Sequence, residues 1–439
     1  MNENTDKQQR LDLNPNFKEV SSVTIKGIWE VLKKEPAYFW FLCIYIFFEY
    51  VRPQSIYPAI DILPYAFIFL LLTLILWFIS PTREFPKSKL TFPIIILFIA
   101  IMTSALFSFF PQWSNKYIDI PINWLILYIL FIGIVTTKNR LFIVVLLLLL
   151  CSFKMSQHAS ITWVQRGFSF ARWGISGGKG WFANAADLGI QFCIFVPLAF
   201  YFYLSFKNNW GKLKKLLFMS FFVTGTMGIV ATGERGTLLG LVAMGLYSIL
   251  SSKKRFKTLL ILSIFTIAIY SIVPQKFLDR FDNIGEDNTS QSRLKYWGRG
   301  IEMFKDHPYT GIGYYNWVPY YSTYYPGESL RGEKQEVAHS TPITALAELG
   351  LFGILSYYLL VLKIIFINRR IQKESELNSD IFITNLAKAL NVGLIGFLVT
   401  STFVTVVYYP FLWMQACLTA SLEIIRNKSI AKSNSRDNK

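Results

Sequence analysis

The apolar residues of this chain come in long, almost charge-free runs, and that feature constrains the fold more than any other. A run of about 18 or more apolar residues reads as a membrane-spanning segment. In lipid only helices and closed barrels satisfy their own backbone hydrogen bonds. Barrel strands alternate apolar and polar residues, which these runs do not. The 439 residues are 53% hydrophobic and 16% charged, against about 25% charged in a soluble chain. The sequence therefore predicts an all-α, polytopic membrane helical bundle.

Spans are expected near 37–50, 60–80, 91–110, 120–136, 140–156, 185–206, 214–231, 236–251, 257–273, 343–368, 383–403 and 406–424, about twelve in all. Basic residues follow every second span: Arg83, Lys87 and Lys89; Lys138 and Arg140; Lys207, Lys212, Lys214 and Lys215; Lys253, Lys254, Arg255 and Lys257; Arg369, Arg370 and Lys373; Arg426, Lys428 and Lys432. Lys and Arg mark cytoplasmic loops, so both termini are expected on the cytoplasmic side of the membrane. The net charge of +17 then belongs to those loops, and no nucleic-acid partner is expected.

The expected organisation is a cytoplasmic N-terminal tail at 1–36, with a surface helix around 23–32, and transmembrane helices one to nine within 37–273. A large periplasmic loop at 274–342 follows, then helices ten to twelve within 343–424 and a cytoplasmic C-terminal tail at 425–439. The N-terminus lacks the pattern of a removable signal peptide. Cys43, Cys151, Cys193 and Cys417 lie in apolar runs without a CxxC pair, so neither a disulfide framework nor a zinc site is expected. The long loop carries Trp297, Trp317 and many tyrosines, and reads as ordered.

Three outward-facing positions combine charge with an interfacial place. Arg235, in Thr232-Gly233-Glu234-Arg235-Gly236, sits in a very short turn between spans seven and eight. It is either an interfacial anchor with a snorkelling stem or a functional cation. Over Ser290–Pro308, Leu294, Trp297, Ile301 and Phe304 recur at helical spacing. With Ser290 or Ser292 as cap, Arg293 falls in the first turn, where a cation opposes the helix dipole unless an anion is near. Arg299 is a second candidate there, and the alternative for both is a solvated face. In Ala338-His339-Ser340-Thr341-Pro342, Ser340 or Thr341 reads as an N-cap and Pro342 suits the first helical position. That puts His339 at the positive end of a helix, disposed to stay neutral and accept a proton, or simply seated in the interface. The tyrosines from Tyr314 to Tyr325 suit sugar stacking or a membrane interface. Asp282, Glu286 and Asp287 have no spacing diagnostic of a metal site.

Several of these pieces together resemble a known family. Ser292-Arg293-Leu294-Lys295-Tyr296-Trp297, His307-Pro308-Tyr309-Thr310-Gly311-Ile312-Gly313, His339 and Ala347-Glu348-Leu349-Gly350-Leu351-Phe352-Gly353 are similar to the conserved region of the O-antigen ligase and polymerase superfamily. Thr232–Gly236 resembles that family's Thr-Gly-Ser-Arg-Gly turn, and Asn184 stands where many members have an Asn before a span. The resemblance covers about 160–355. It implies a membrane fold of the C type of glycosyltransferases. It also implies transfer of a glycan from an undecaprenyl-diphosphate carrier on the periplasmic side, without metal or other cofactor. It gives Arg235 and Arg293 the diphosphate and His339 the acceptor hydroxyl. Arg299, Asn184 and Tyr314 are further substrate-binding candidates. Two departures are Glu234, where Ser is usual, and Ser340, where Asn is common. Glu49-Tyr50-Val51-Arg52-Pro53-Gln54 falls outside the shared pattern; Arg52 there is an interfacial anchor or a contact to the lipid carrier.

The expected activity is therefore an inverting O-antigen ligase acting on lipid A-core. Protein O-oligosaccharyltransferase and O-antigen polymerase remain alternatives with the same donor. A membrane transporter is the alternative of another class, but it predicts charges near the bilayer midplane and internal repeats. The unusual charges cluster instead at one face.

Overall fold

The computed structural model describes residues 15–170, 174–252, 255–256, 259–260, 263, 288–328, 337–377 and 380–437. Every regular element among them is helical: α1 (Pro15–Ser21), α2 (Ile25–Leu32), α3 (Ala37–Tyr50), α4 (Pro53–Ile56), α5 (Tyr65–Ile79), α6 (Thr91–Leu106), α7 (Pro111–Lys116), α8 (Asp119–Ile134), α9 (Lys138–Gln165), α10 (Ala185–Phe206), α11 (Lys212–Ala231), α12 (Arg235–Ser251), α13 (Asn288–Asp306), α14 (Trp317–Tyr324), α15 (Thr341–Leu377), α16 (Ile381–Ser401) and α17 (Pro410–Asp437). Two short 3₁₀ turns complete the set. Among the described residues, five helices are long and apolar enough to cross a membrane: α9, α10 with its 3₁₀ extension to Asn209, α11, α15 and α16. Helices α5, α6, α8 and α12 are apolar but shorter. The ninth expected span, 257–273, lies largely outside the described residues, as do Asp282, Glu286 and Asp287.

Helices α10 and α16 pack together in the centre, with α11, α12 and α15 around them. Small residues let the backbones approach, because lipid offers no hydrophobic drive between helices and close van der Waals contact must supply it. Gly189 meets Thr237, Gly240 meets Thr400 and Gly396 meets Met244. At one end of the bundle the chain's first described residues dock onto this core. Phe17 is buried among the rings of Phe142, Phe206 and Phe382. The Trp210 indole N–H donates to the Ser21 carbonyl at 3.0 Å, and Arg140 pairs with Glu35 at 2.6 Å. The segment expected as a tail is thus in part a packed element.

Helix α15 breaks its own ladder at Gly350 (φ 62, ψ −162). The carbonyls released there find partners in the 308–313 loop. Ile312 N–H donates to Ala347 O (2.9 Å), and Gly313 N–H to Glu348 O (3.2 Å). Ser104 Oγ–H also donates to Glu348 O (2.6 Å), and Leu351 N–H turns to Pro308 O (2.7 Å). A Cβ on Gly311 (φ 69) would strike the Glu348 carbonyl, and one on Gly350 would strike that of Tyr309. The Glu348 carboxylate, 3% exposed, completes the joint. Its Oε1 accepts from Trp317 N–H at 2.9 Å, and its Oε2 accepts from the Tyr408 hydroxyl at 2.6 Å. A buried acid with both oxygens occupied is a structural clamp.

Candidate functional site

At the end of the bundle away from Phe17, α11 and α12 are joined by a tight turn whose geometry follows from its residues. Gly233 takes φ 65, which favours glycine. Thr232 is fully buried; its hydroxyl donates to Ile229 O (2.7 Å) and shares a hydrogen bond with the Thr237 hydroxyl (3.2 Å). Gly174 lies against the Thr232 carbonyl, where a Cβ has no room. The turn makes Glu234 the residue before the helix and Arg235 the first residue of α12. A cation at a helix N-terminus works against the dipole, so guanidinium and backbone N–H groups together favour an anion.

The segments that bear the other two expected residues meet the Arg235 turn through one aromatic side chain. Gly236, next to Arg235, packs on Phe403, just beyond the end of α16. The Phe403 ring lies 6.3 Å from that of Trp297. Trp297 follows Arg293 by four residues in α13, hence on the same helical face. Its indole N–H donates to the carbonyl of Ala338, the neighbour of His339, at 3.1 Å. His339 has φ 48, a left-handed conformation that costs a histidine about 1 kcal/mol. It is held between the Trp297–Ala338 bond and the Ser340 N–H, which donates to Thr405 Oγ1 at 3.3 Å. Two helix N-termini, those of α12 and α15, thus flank Phe403, with Arg235, Arg293 and His339 on the segments packed around it. All three side chains are partly buried.

The structure changes several local expectations. Ser340 is the cap of α15, its Oγ accepting from Ile343 N–H, but Pro342 is the second helical residue, not the first. Helix α13 is already formed at Asn288, so neither Ser290 nor Ser292 starts it and Arg293 lies in the second turn. No proline or glycine interrupts 288–292 to force the later start. The helix dipole therefore favours an anion at Arg235, the first residue of α12, and not at Arg293. Tyr314 is fully buried: its hydroxyl donates to Tyr117 O (2.9 Å) and its ring packs on Tyr408. It is a core residue and offers no ring face to a substrate. Arg299 is not brought to the Phe403 group. Its Nε and Nη2 grip both oxygens of Glu328 (3.0 and 2.6 Å), and Nη1 binds Glu302 (2.6 Å). That grip holds the Glu328 carboxyl below the usual range. Asn184 caps α10 as its position suggests. Its side-chain oxygen accepts from Asp187 N–H (2.9 Å), and its amide donates to the Asp187 carboxylate.

Sequence reasoning missed Phe403 and Tyr408 and saw Trp297 and Glu348 only as pattern members. Their roles rest on contacts between distant parts of the chain, which leave no local periodicity to find.

A helical membrane protein with a cationic, histidine-bearing end is the class these observations define. Residues 219–358, about a third of the chain, match the family model described as O-Antigen ligase. The matched stretch contains Arg235, Arg293, His339, Glu348 and Gly350. No curated protein matches the chain.

Proposed function

We propose that the protein is an O-antigen ligase that moves a glycan from undecaprenyl diphosphate to lipid A-core at the periplasmic face of the bacterial inner membrane. The observation that carries this reading is the clustering around Phe403 of the segments bearing Arg235, Arg293 and His339. As the glycosidic bond breaks, negative charge grows on the leaving diphosphate. Fixed guanidinium groups and helix N-termini stabilise that charge without a metal ion. Arg suits this task because its planar fork binds phosphate bidentately. His339 orients the acceptor hydroxyl and takes its proton, and attack opposite the leaving group inverts the anomeric centre. Twelve spans with both termini cytoplasmic put this end of the bundle outside. Arg299 and Tyr314 have no part in the reading; Asn184 acts through the start of α10.

The test is transfer by the purified full chain from a lipid-linked glycan to lipid A-core. Arg293→Ala abolishes transfer while insertion persists, and Arg235→Lys is strongly impaired because an ammonium cannot fork. His339→Ala loses acceptor chemistry, and excess chelator leaves the wild type active. Retained turnover in Arg293→Ala would remove that residue from the site. Glycan profiles of a deletion strain separate the related activities. Lipopolysaccharide without O-chains supports the ligase, a single-repeat ladder the polymerase, and an unglycosylated protein with normal lipopolysaccharide the oligosaccharyltransferase.

A further inference from the structure

Outside the family-matched stretch, a cleft of about 220 Å³ opens between the end of α3, α4 and the starts of α5 and α8. Its lining mixes polar groups, those of Glu49, Arg52, Gln54, Asp119 and Asn123, with aromatic and aliphatic side chains such as Trp181 and Leu70. Three features mark it as built. Arg52 is held at φ 50, and its guanidinium packs on Gly180, where a Cβ would collide with it. The Trp181 indole N–H donates to Glu49, leaving that carboxylate further acceptor capacity. Gln54 is only 7% exposed, and its amide oxygen has no hydrogen-bond partner among the described residues. A buried acceptor left unmet carries an uncompensated desolvation cost, so such a group points to something that donates to it.

Two carboxylates, Glu49 and Asp119, line the cleft beside one guanidinium, Arg52, a balance that disfavours a diphosphate. The lining offers several acceptors, an amide and an indole ring, the set that receives hydroxyls and the apolar face of a pyranose. The cleft also lies along the path to the Arg235 turn. Gly174 touches Thr232 of that turn and Gly180 touches Arg52 of the cleft. The six residue steps from Gly174 to Gly180 span at most about 20 Å. We infer that this cleft is a saccharide subsite, which holds sugar residues of a lipid-borne glycan while its reacting end lies near Phe403; this rests on the glycosyl-transfer reading above. The glycan can belong to the donor or to the acceptor.

Direct binding separates these sources and does not depend on turnover. The full chain in lipid nanodiscs is titrated with three probes. These are a short polyprenyl diphosphate, the same carrier bearing an N-acetylhexosamine disaccharide, and lipid A-core. Gln54→Leu keeps the side chain's size and removes the unmet acceptor, so the fold is retained or stabilised. Asn123→Ala is the second variant. If the donor glycan occupies the cleft, the wild type favours the sugar-bearing carrier over the bare one, and both variants lose about tenfold of that preference. If the acceptor glycan does, both variants lose about tenfold for lipid A-core and nothing for either carrier. Unchanged affinities for all three probes in folded variants overturn the inference. Loss of binding here with Arg293→Ala still active would sink the proposed role of Arg293 and leave the cleft standing.

Discussion

At the residue scale, Arg299 and Arg293 show how little a charge on an amphipathic helix says by itself. They lie six positions apart in α13. One is clamped by Glu328 and Glu302, with its guanidinium over the Tyr325 ring at 4.7 Å. The other shares a helical face with Trp297, which packs on Phe403. Arg299→Ala is therefore expected to keep at least half of wild-type transfer, measured with purified protein, while loosening the loop around Glu328. A loss as complete as that of Arg293→Ala would return Arg299 to the site. The Glu328 carboxyl is depressed chiefly by its hydrogen bonds to Arg299. Its contribution to stability is thus full above the ordinary Glu value, about 4.3, and fades as pH falls through the lower folded value. Loop opening, followed by hydrogen exchange between pH 6 and pH 3, should rise in the wild type over that window and stay flat in Glu328→Gln. Arg235, Arg293 and His339 were legible as candidates because ionisable groups at a membrane boundary are few. Tyr314 was not, since an aromatic residue looks the same in sequence whether it faces a sugar or a core.

At the element scale, the kink of α15 and the loop 307–313 form one joint, and the recurring glycines and the glutamate have a mechanical reason. Gly350→Ala puts a Cβ against the Tyr309 carbonyl and a side chain into positive φ. A loss of about 2 kcal/mol or more is expected from strain and displacement together, read as a fall in melting temperature. Glu348→Gln keeps an acceptor for Trp317 N–H and remains folded. Glu348→Leu strands both Trp317 N–H and the Tyr408 hydroxyl, about 1–3 kcal/mol each. Equal melting temperatures for these two variants would reject the clamp. The helices themselves were readable, since eleven of the expected spans coincide with a helix. The break at Gly350 was not, because a glycine inside an apolar run marks a kink, a contact or nothing. The start of α13 was also misplaced, as capping residues allow several starts and only the surrounding packing selects one.

At the scale of the whole molecule, the two ends of the bundle differ in kind. One end holds Lys138 bound to Asp380 at 2.8 Å, Arg140 bound to Glu35 and the docked Phe17. The other gathers the starts of α10, α12 and α15 with the 174–184 segment. The proposed orientation predicts that a Gly178→Cys label site reacts with a membrane-impermeant maleimide in spheroplasts, and that Lys87→Cys reacts only after lysis. The reverse pattern would put the candidate site on the cytoplasmic side.

In a solvent that cannot hydrogen-bond only helices and closed barrels satisfy the backbone, and long apolar runs without alternation choose helix, so the class of fold was written in the chain before any contact formed. The placing of charges at the membrane boundary was a local matter too, governed by neighbours in sequence. What only tertiary structure decided is which charges meet. Phe403, Trp297, Ala338 and Gly236 come from four separate segments, and their contacts depend on how α12, α13, α15 and α16 pack. Packing is chosen by shape and close approach among many nearly equivalent apolar faces, and no local pattern of residues encodes that choice.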